Sequence, residues 1–243
     1  MEKQNTPFIS VLIPTYNNGQ FIKEAIDSVF AQQYDNLEII VVDDGSTDNT
    51  KEIVERYPSI KYFYQENSGV SAARNLCLEH ARGEYIAWLD ADDYWLSGKL
   101  YAQVEYFNEH SDCQIVFTKF ANFFENEDLK SNPIAVQEFE IAKKDKHYLP
   151  SALIKKDIFE KFGNFKTELI IGEDLDFLYR LISVGVDLSH LLDNIYYHRR
   201  LHGANITLLQ KPLSSDQYFN QLLIPNLIDK ARASVSACFL PKT

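Results

Sequence analysis

GEYIAWLDADDYW, residues 83–95, runs from a glycine through an apolar stretch into three carboxylates and two aromatics. The run that begins at Tyr85 stops abruptly at Asp90, and Ala91, Asp92 and Asp93 follow. A short apolar run bounded by glycine has the form of a buried strand. Such a strand carries its acids to the edge of the core. In an open α/β sheet the carboxyl ends of the strands are where ligands bind. Residues 90–93 therefore mark a candidate site.

Working outward, the chain alternates strands with helices. Phe8–Ile13 (FISVLI) reads as a buried strand stopped by Pro14. Gln20–Ala31 has helical spacing through Phe21, Ile22, Ala25, Ile26, Val29 and Phe30. Leu37–Val42 (LEIIVV) is a second buried strand, ending in Asp43, Asp44 and Gly45. Asn49 with Glu52 has the form of a capping box and predicts a helix to Tyr57. Ile60–Tyr64 alternates like a strand, and a helix is expected over 70–81 with Gly83 as its C-cap. Strand, helix, strand, helix, strand, helix, strand is the pattern of a parallel sheet with helices on both faces.

Downstream the text is less regular. Ser97 is expected to cap a helix to Glu109 with Leu100, Val104 and Phe107 on one face. Strands are expected at Ile115–Thr118, Tyr148–Ile154 and Ile195–Arg200, and helices at Lys156–Phe162 and Glu173–Val184. Residues 121–147 read as loops with an edge strand. The last segment, Ser214–Ala233, is amphipathic and broken by Pro225, a docking helix or an oligomer contact.

Composition narrows the class. The 243 residues are 45% hydrophobic and 13% aromatic, enough for one substantial core with a small appendage. A net charge of −11 argues against nucleic acid as a partner, since phosphate backbones need clustered Lys and Arg. A phosphate-ester ligand would need a divalent cation to screen the repulsion. Cys77, Cys113 and Cys238 are widely spaced and odd in number, which fits reduced thiols and neither a disulfide framework nor a CxxC metal site. MEKQNTP has no apolar signal core, and no run approaches the roughly 18 apolar residues of a membrane span. The expectation is a soluble cytoplasmic chain, with peripheral contact at the inner face of the membrane or a homodimer left open.

Several chemistries are excluded by spacing. The first strand is followed by PTYNNG, not by the GxGxxG of a dinucleotide fold. PTYNNG is likewise not the Gly-rich, Arg-containing loop of a nucleotidyltransferase. The acids at 90–93 lack the glycine and distal glutamate of an EF-hand. Tyr94 breaks the haloacid-dehalogenase pattern DxDx[TV]. Alone, DADD also fits an acidic cap before the next helix. Asp90 and Asp92, one residue apart on a loop, can divide their work between a hydroxyl and a divalent ion, which prefers oxygen ligands and retains phosphate oxygens in its shell. Trp88 reads as core, and Trp95 as a candidate face for a sugar.

Together the segments resemble the bacterial family-2 inverting glycosyltransferases of the GT-A fold. The resemblance rests on ISVLIPTYN, IIVVDDGSTDNT, NSGVSAARN, GEYIAWLDADD and GEDLDF, with RRLHGANIT near the end, in the family's order over about residues 8–207. It implies an α/β, Rossmann-like GT-A domain at 7–208, with a mostly parallel central sheet and helices on both faces, and a helical extension at 209–243. It also implies transfer of a sugar from a nucleotide-sugar donor, UDP-linked, to an acceptor hydroxyl with inversion at the anomeric carbon. Carried over by position, Pro14, Tyr16, Asp44, Arg74 and Asp90 bind the donor. Asp44 faces the imide of the base, Tyr16 packs on the base, and Arg74 pairs with the diphosphate. Asp92 and His202 hold Mn²⁺ or Mg²⁺, with His198 close enough to compete. Arg199 and Arg200 are alternatives for the phosphate. Asp174 is the general base and Glu173 its fallback, while Asp176 is structural. Saccharide, lipid-linked and peptide acceptors all fit. No Q-x-x-R-W text of a processive synthase occurs, which favours single-sugar transfer. The alternative is a non-catalytic nucleotide-sugar or carbohydrate-binding module on the same fold.

Overall fold

The computed structural model describes residues 6–142, 147–169, 171–205 and 208. The chain divides into two units, Met1–His202 and Gly203–Thr243. Of the second, Gly203–Asn205 and Leu208 are described, and the Leu208 N–H donates to the Asn205 carbonyl. The amphipathic segment expected at 214–233 lies outside the described residues.

In the first unit the elements run β1 (Ile9–Thr15), α1 (Ile22–Phe30), β2 (Leu37–Asp43), α2 (Thr50–Val54), β3 (Lys61–Tyr64), α3 (Val70–His80) and β4 (Tyr85–Trp88). There follow β5 (Tyr94–Trp95), α4 (Lys99–Glu109), β6 (Ile115–Phe124), α5 (Pro133–Ala142), β7 (Leu153–Lys155), α6 (Asp157–Phe162), α7 (Glu173–Ser183) and β8 (Leu191–Leu201). One sheet has the order β3-β2-β1-β4-β7-β6-β8-β5. Its first four strands are parallel neighbours. β7 is antiparallel to both β4 and β6, β8 pairs parallel with β6, and β5 is antiparallel to β8. The α/β class and the mostly parallel sheet expected from the strand–helix alternation are what the chain forms.

The continuous apolar runs follow from burial on both sheet faces. Ile9, Val11 and Ile13 join Ile39, Val41, Ala87 and Leu89 on one face, covered by Ile22, Ile26 and Val29 of α1 and Leu100, Val104 and Phe107 of α4. Leu12, Ile40, Val42, Ile86 and Trp88 point the other way, onto Ala73, Cys77 and Leu78 of α3 and Phe177, Leu178 and Leu181 of α7. Trp88 is core, as read from the sequence.

Local expectations are corrected at several places. Pro14 does not stop the first strand. Pairing between β1 and β4 ends at Leu12, whose carbonyl accepts from the Leu89 N–H, while β1 stays paired with β2 to Thr15. Pro14 shares Leu12's side of the strand, where no ladder remains, so its missing N–H costs nothing. The Asn49–Glu52 capping box is not made. Asp48 takes that role by accepting from the Thr50 N–H and hydroxyl, and α2 stops at Val54. Ser97 is not the cap of α4; Gly98 precedes that helix. Residues 133–142 form α5 instead of a loop, and β6 extends to Phe124 because β8 gives it a long partner. The strand expected over 148–154 is shorter: a 3₁₀ turn takes Leu149–Ser151, and β7 covers Leu153–Lys155.

Gly83 is not a C-cap. A Cβ there would sit 2.4 Å from the Ser10 nitrogen and 2.8 Å from the Ile9 carbonyl carbon. The residue is needed so that the chain entering β4 can lie against β1. Its N–H donates to Ser10 Oγ, which donates in turn to the buried Glu38 carboxylate. Because backbone blocks the added atom, Gly83→Ala should lower stability by about 2 kcal/mol or more, read as a reduced denaturation midpoint.

Lys99, at the start of α4, is fully buried. Its Nζ donates to Gln103 Oε1 at 2.9 Å and sits 4.3 Å from the Trp95 ring centroid. Burial lowers its pKa to about 7. Between about 7 and its ordinary value the unfolded chain binds the extra proton, so stability rises with pH through that window and the cost is complete below it. Lys99→Met keeps the stem and removes the charge. It should raise the melting temperature by roughly 3 °C or more near pH 6, with the gain shrinking towards pH 10.

Candidate active site

Because β1, β2 and β4 are parallel neighbours, the loops PTYN, DDGS and DADD leave the sheet at one edge. Hydrogen bonds stitch the first two together. The Asp44 N–H donates to the Thr15 carbonyl, the Asn17 N–H to Ser46 Oγ, and the Thr47 N–H to Asn17 Oδ1. Gly45 takes φ +85°, and a Cβ there would meet the Asn67 nitrogen at 2.8 Å, so glycine lets the DDGS turn and the NSG turn touch. Asp43 is a turn residue: its carboxylate accepts from the Ser46 N–H and the Tyr62 hydroxyl.

Asp44 is buried at the head of α3. Its Oδ1 accepts from Gln65 Nε2 and the Ser68 N–H, and its Oδ2 from the Gly69 N–H at 2.9 Å. Backbone donors at a helix start suit a carboxylate. Pro14, at the end of β1, is buried, and Tyr16, two residues on, is 49% exposed at this edge.

One turn into α3, Arg74 is 4% exposed. Its Nη1 donates to Glu173 Oε1 at 2.9 Å and its Nη2 to Asp90 Oδ1 at 3.1 Å. Trp88 and Phe165 flank the guanidinium. Burial opposes its charge, but Glu173, Asp90 and Asp174 outweigh this and hold its pKa above the ordinary value. The same burial raises the pKa of Glu173 against the pull of Arg74, and Asp174 adds to the rise. Asp90 keeps 26% of its side-chain surface open, yet the protein packed around it raises its pKa too. Arg74 is thus an internal bridge between two acids, where a diphosphate contact was expected.

Asp174 is partly exposed beside the buried Glu173 in the first turn of α7, and its Oδ1 accepts from the Leu175 N–H. Asp176 pairs with Lys166 at 2.7 Å and with Arg180 at 2.8 Å, the structural place expected for it.

At the end of β8 the chain returns to the acids. His202 Nε2 lies 2.9 Å from Asp92 Oδ2, so these two expected partners meet. His198 points elsewhere, onto the Tyr94 hydroxyl at 2.8 Å. Arg200 is buried. Its Nε donates to the Asp92 carbonyl, and it pairs with Glu24 and Glu125. Arg199 pairs with Glu138. Trp95 does not present a face to a sugar. It is 3% exposed and its ring lies against Lys99.

Sequence reading missed the tyrosines. Tyr148 donates to Asp90 Oδ2 at 3.0 Å, and Tyr197 to Asp93 Oδ2 at 2.7 Å. Tyr197 lies five residues before His202 on a strand whose pairing no local pattern announces. A groove of about 810 Å³ lies beside α3 and α6 near Asn75, Glu79, Lys156 and Glu160. The site is recognised by converging carboxylates and not by cavity size.

Comparison with known proteins agrees with this architecture. The sequence profile described as Glycosyl transferase family 2 matches residues 10–166, more than half of the chain. An uncharacterized glycosyltransferase of Rickettsia typhi is 33% identical over 222 residues, covering 84% of this chain and 68% of that protein. TarS 1-349 of S. aureus, solved in complex with UDP-GlcNAc, has a TM-score of 0.70 at 22% identity, covering 96% of this chain and 68% of that one. The mannosyltransferase PcManGT from Pyrobaculum calidifontis, solved with GDP-Man and Mn²⁺, has a TM-score of 0.61 at 19% identity, covering 99% and 77%. These structures share the GT-A fold with the sheet described here. By its motifs, its fold and the profile match, the chain belongs to glycosyl transferase family 2.

Proposed function

We propose that the protein moves a sugar from a nucleotide-sugar donor, UDP-linked, to an acceptor hydroxyl with inversion at the anomeric carbon. The observation that carries this reading is the chain of ion pairs Asp90–Arg74–Glu173, built on a buried guanidinium. It holds a donor-side acid and the α7 turn bearing Asp174 across a single guanidinium. TarS, a fold neighbour bound to UDP-GlcNAc, supports the choice of donor class.

The open Tyr16 ring and the buried Pro14 offer a stacking wall for a base. Asp44 already accepts three hydrogen bonds, and a carboxylate has about four acceptor sites, so one is left for an N–H of the base. Asp90 takes a hydroxyl of the sugar-nucleotide. Asp174 is the base: it is partly exposed, whereas Glu173 is buried against Arg74. The acceptor O–H gives its proton to Asp174 as the oxygen bonds to the anomeric carbon, and the bond to the diphosphate breaks on the opposite face with its electron pair.

Asp92 and His202 fit a divalent cation. One carboxylate oxygen and one imidazole nitrogen suit Mn²⁺ or Mg²⁺ when phosphate oxygens and water complete the shell. Among the described residues no group of three or more His, Cys, Asp or Glu is arranged to hold a metal, so the donor would supply the remainder. When bound, such an ion offsets the charge that builds on the departing diphosphate. PcManGT with GDP-Man and Mn²⁺ supports the same reading. No helix among the described residues is long and apolar enough to cross a membrane, and Cys77 and Cys113 are buried free thiols, which fits a reducing cytoplasm.

Incubating the protein with a panel of nucleotide sugars and Mn²⁺ should release one nucleoside diphosphate, expected to be UDP. Asp174→Asn should leave UDP affinity unchanged and reduce turnover roughly 10²–10⁴-fold; full turnover in that variant would move the base to another residue. Asp92→Ala should abolish the Mn²⁺ dependence of UDP binding in calorimetry. UDP binding by the native chain with no turnover of any donor would return the reading to a binding module.

A further inference from the structure

Asp93 has no part in the chemistry above, yet it is 2% exposed and meets two donors, with a further hydroxyl close by. Its Oδ1 accepts from the Arg200 N–H at 2.7 Å. Its Oδ2 accepts from the Tyr197 hydroxyl at 2.7 Å and lies 3.3 Å from the Tyr148 hydroxyl. The link runs in both directions, since Arg200 Nε donates to the Asp92 carbonyl at 2.9 Å. Tyr197 also accepts from the Asp90 N–H at 3.3 Å, and Tyr148 donates to Asp90 Oδ2. One buried carboxylate therefore fastens the DADD loop to β8, the strand that leads into His202.

The sequence separation explains the need for such a fastening. Asp92 and His202 are 110 positions apart, and their side chains meet at 2.9 Å. The Asp92 side of the pair stands on a loop, where backbone position is set by hydrogen bonds and not by a ladder. We propose that Asp93 is the positioning residue that sets the Asp92–His202 pair, and so tunes the cation affinity of the site without touching cation or donor. The proposal rests on the glycosyltransferase reading only for the use of the cation, because the fastening itself belongs to the unliganded protein.

An amide cannot replace this carboxylate. If its oxygen faces Arg200, the Tyr197 hydroxyl loses its acceptor. If its oxygen faces the tyrosines, its NH₂ meets the Arg200 N–H, donor against donor. Asp93→Asn should therefore release the loop with little change in volume. Tyr197→Phe removes one donor and no buried charge, and serves as the milder variant.

The test measures Mn²⁺ binding in the presence of UDP and uracil binding without metal, on the full chain, by calorimetry, with melting temperature as the control for folding. Uracil carries neither ribose nor phosphate, so its binding reads the Tyr16–Asp44 region alone. The expected result is an Mn²⁺ Kd at least tenfold weaker in Asp93→Asn and several-fold weaker in Tyr197→Phe, with uracil affinity unchanged. Unchanged Mn²⁺ affinity in folded variants overturns the proposal, and so does a parallel loss of uracil and Mn²⁺ binding, which marks a merely structural role. If the native chain shows no Mn²⁺ binding with UDP present, the cation reading of the site falls. The crystal structure of Asp93→Asn then decides the positioning role: separation of Asp92 from His202 supports it, and a retained contact overturns it.

Discussion

Carboxylates crowd the functional edge of this protein, and the arrangement stands because a buried guanidinium sits among them. Asp90, Asp92, Asp93, Glu173 and Asp174 come from two distant stretches of a chain whose net charge is already −11. Arg74 neutralises across both stretches, binding Asp90 with one terminal nitrogen and Glu173 with the other. Removing one partner of a buried ion pair costs about 3–5 kcal/mol, because the remaining charge is stranded. The pair is thus less a source of stability than a constraint: neither acid can leave without exposing the penalty of the others.

That constraint makes α3 the shared element of the site. The Ser68 and Gly69 N–H groups just before it hold Asp44 after β2, and Arg74, one turn into it, holds Asp90 after β4 and Glu173 at the start of α7. A displacement of this helix would move Asp44, Asp90 and the first turn of α7 together. The Asp92–His202 pair is fastened separately, through Asp93, Arg200 and Tyr197 of β8. The site therefore has two frames, one centred on the buried Arg74 guanidinium and one on the buried Asp93 side chain, and Asp90 belongs to both through Arg74 and Tyr148.

The division of acids into exposed and buried also gives them different work. Glu173 and Asp174 are neighbours with the same chemistry, but burial against Arg74 occupies the first and leaves the second partly open. Asp92 and Asp93 repeat this pattern: one faces His202, the other is enclosed by donors. Adjacent residues at a strand end or a helix start point in different directions, so a doublet of acids leaves one group open to the site and encloses the other.

Much of this was legible in the sequence. Apolar runs ending in PTYN, DDGS and DADD required parallel strands and a common edge, because a strand buried on both faces has nowhere else to place its acids. The meeting of Asp92 with His202 and the helix opening at Glu173 were read from motifs. Local caps were read less well. Asn49 and Ser97 have the right chemistry for N-caps, but Asp48 reached the donors first, and the chain enters α4 through Gly98. Residues 133–142 gave too weak a period to mark α5. What only the tertiary structure decided is who faces whom. That Arg74 is bridged between acids, that Trp95 is closed in by Lys99, and that Asp93 draws its partners from β7's approach and β8 are consequences of long-range pairing. Hydrophobic period and turn chemistry are local properties that a sequence displays directly. The direction of a polar side chain is set by donors and charges a hundred residues away, and no local pattern encodes it.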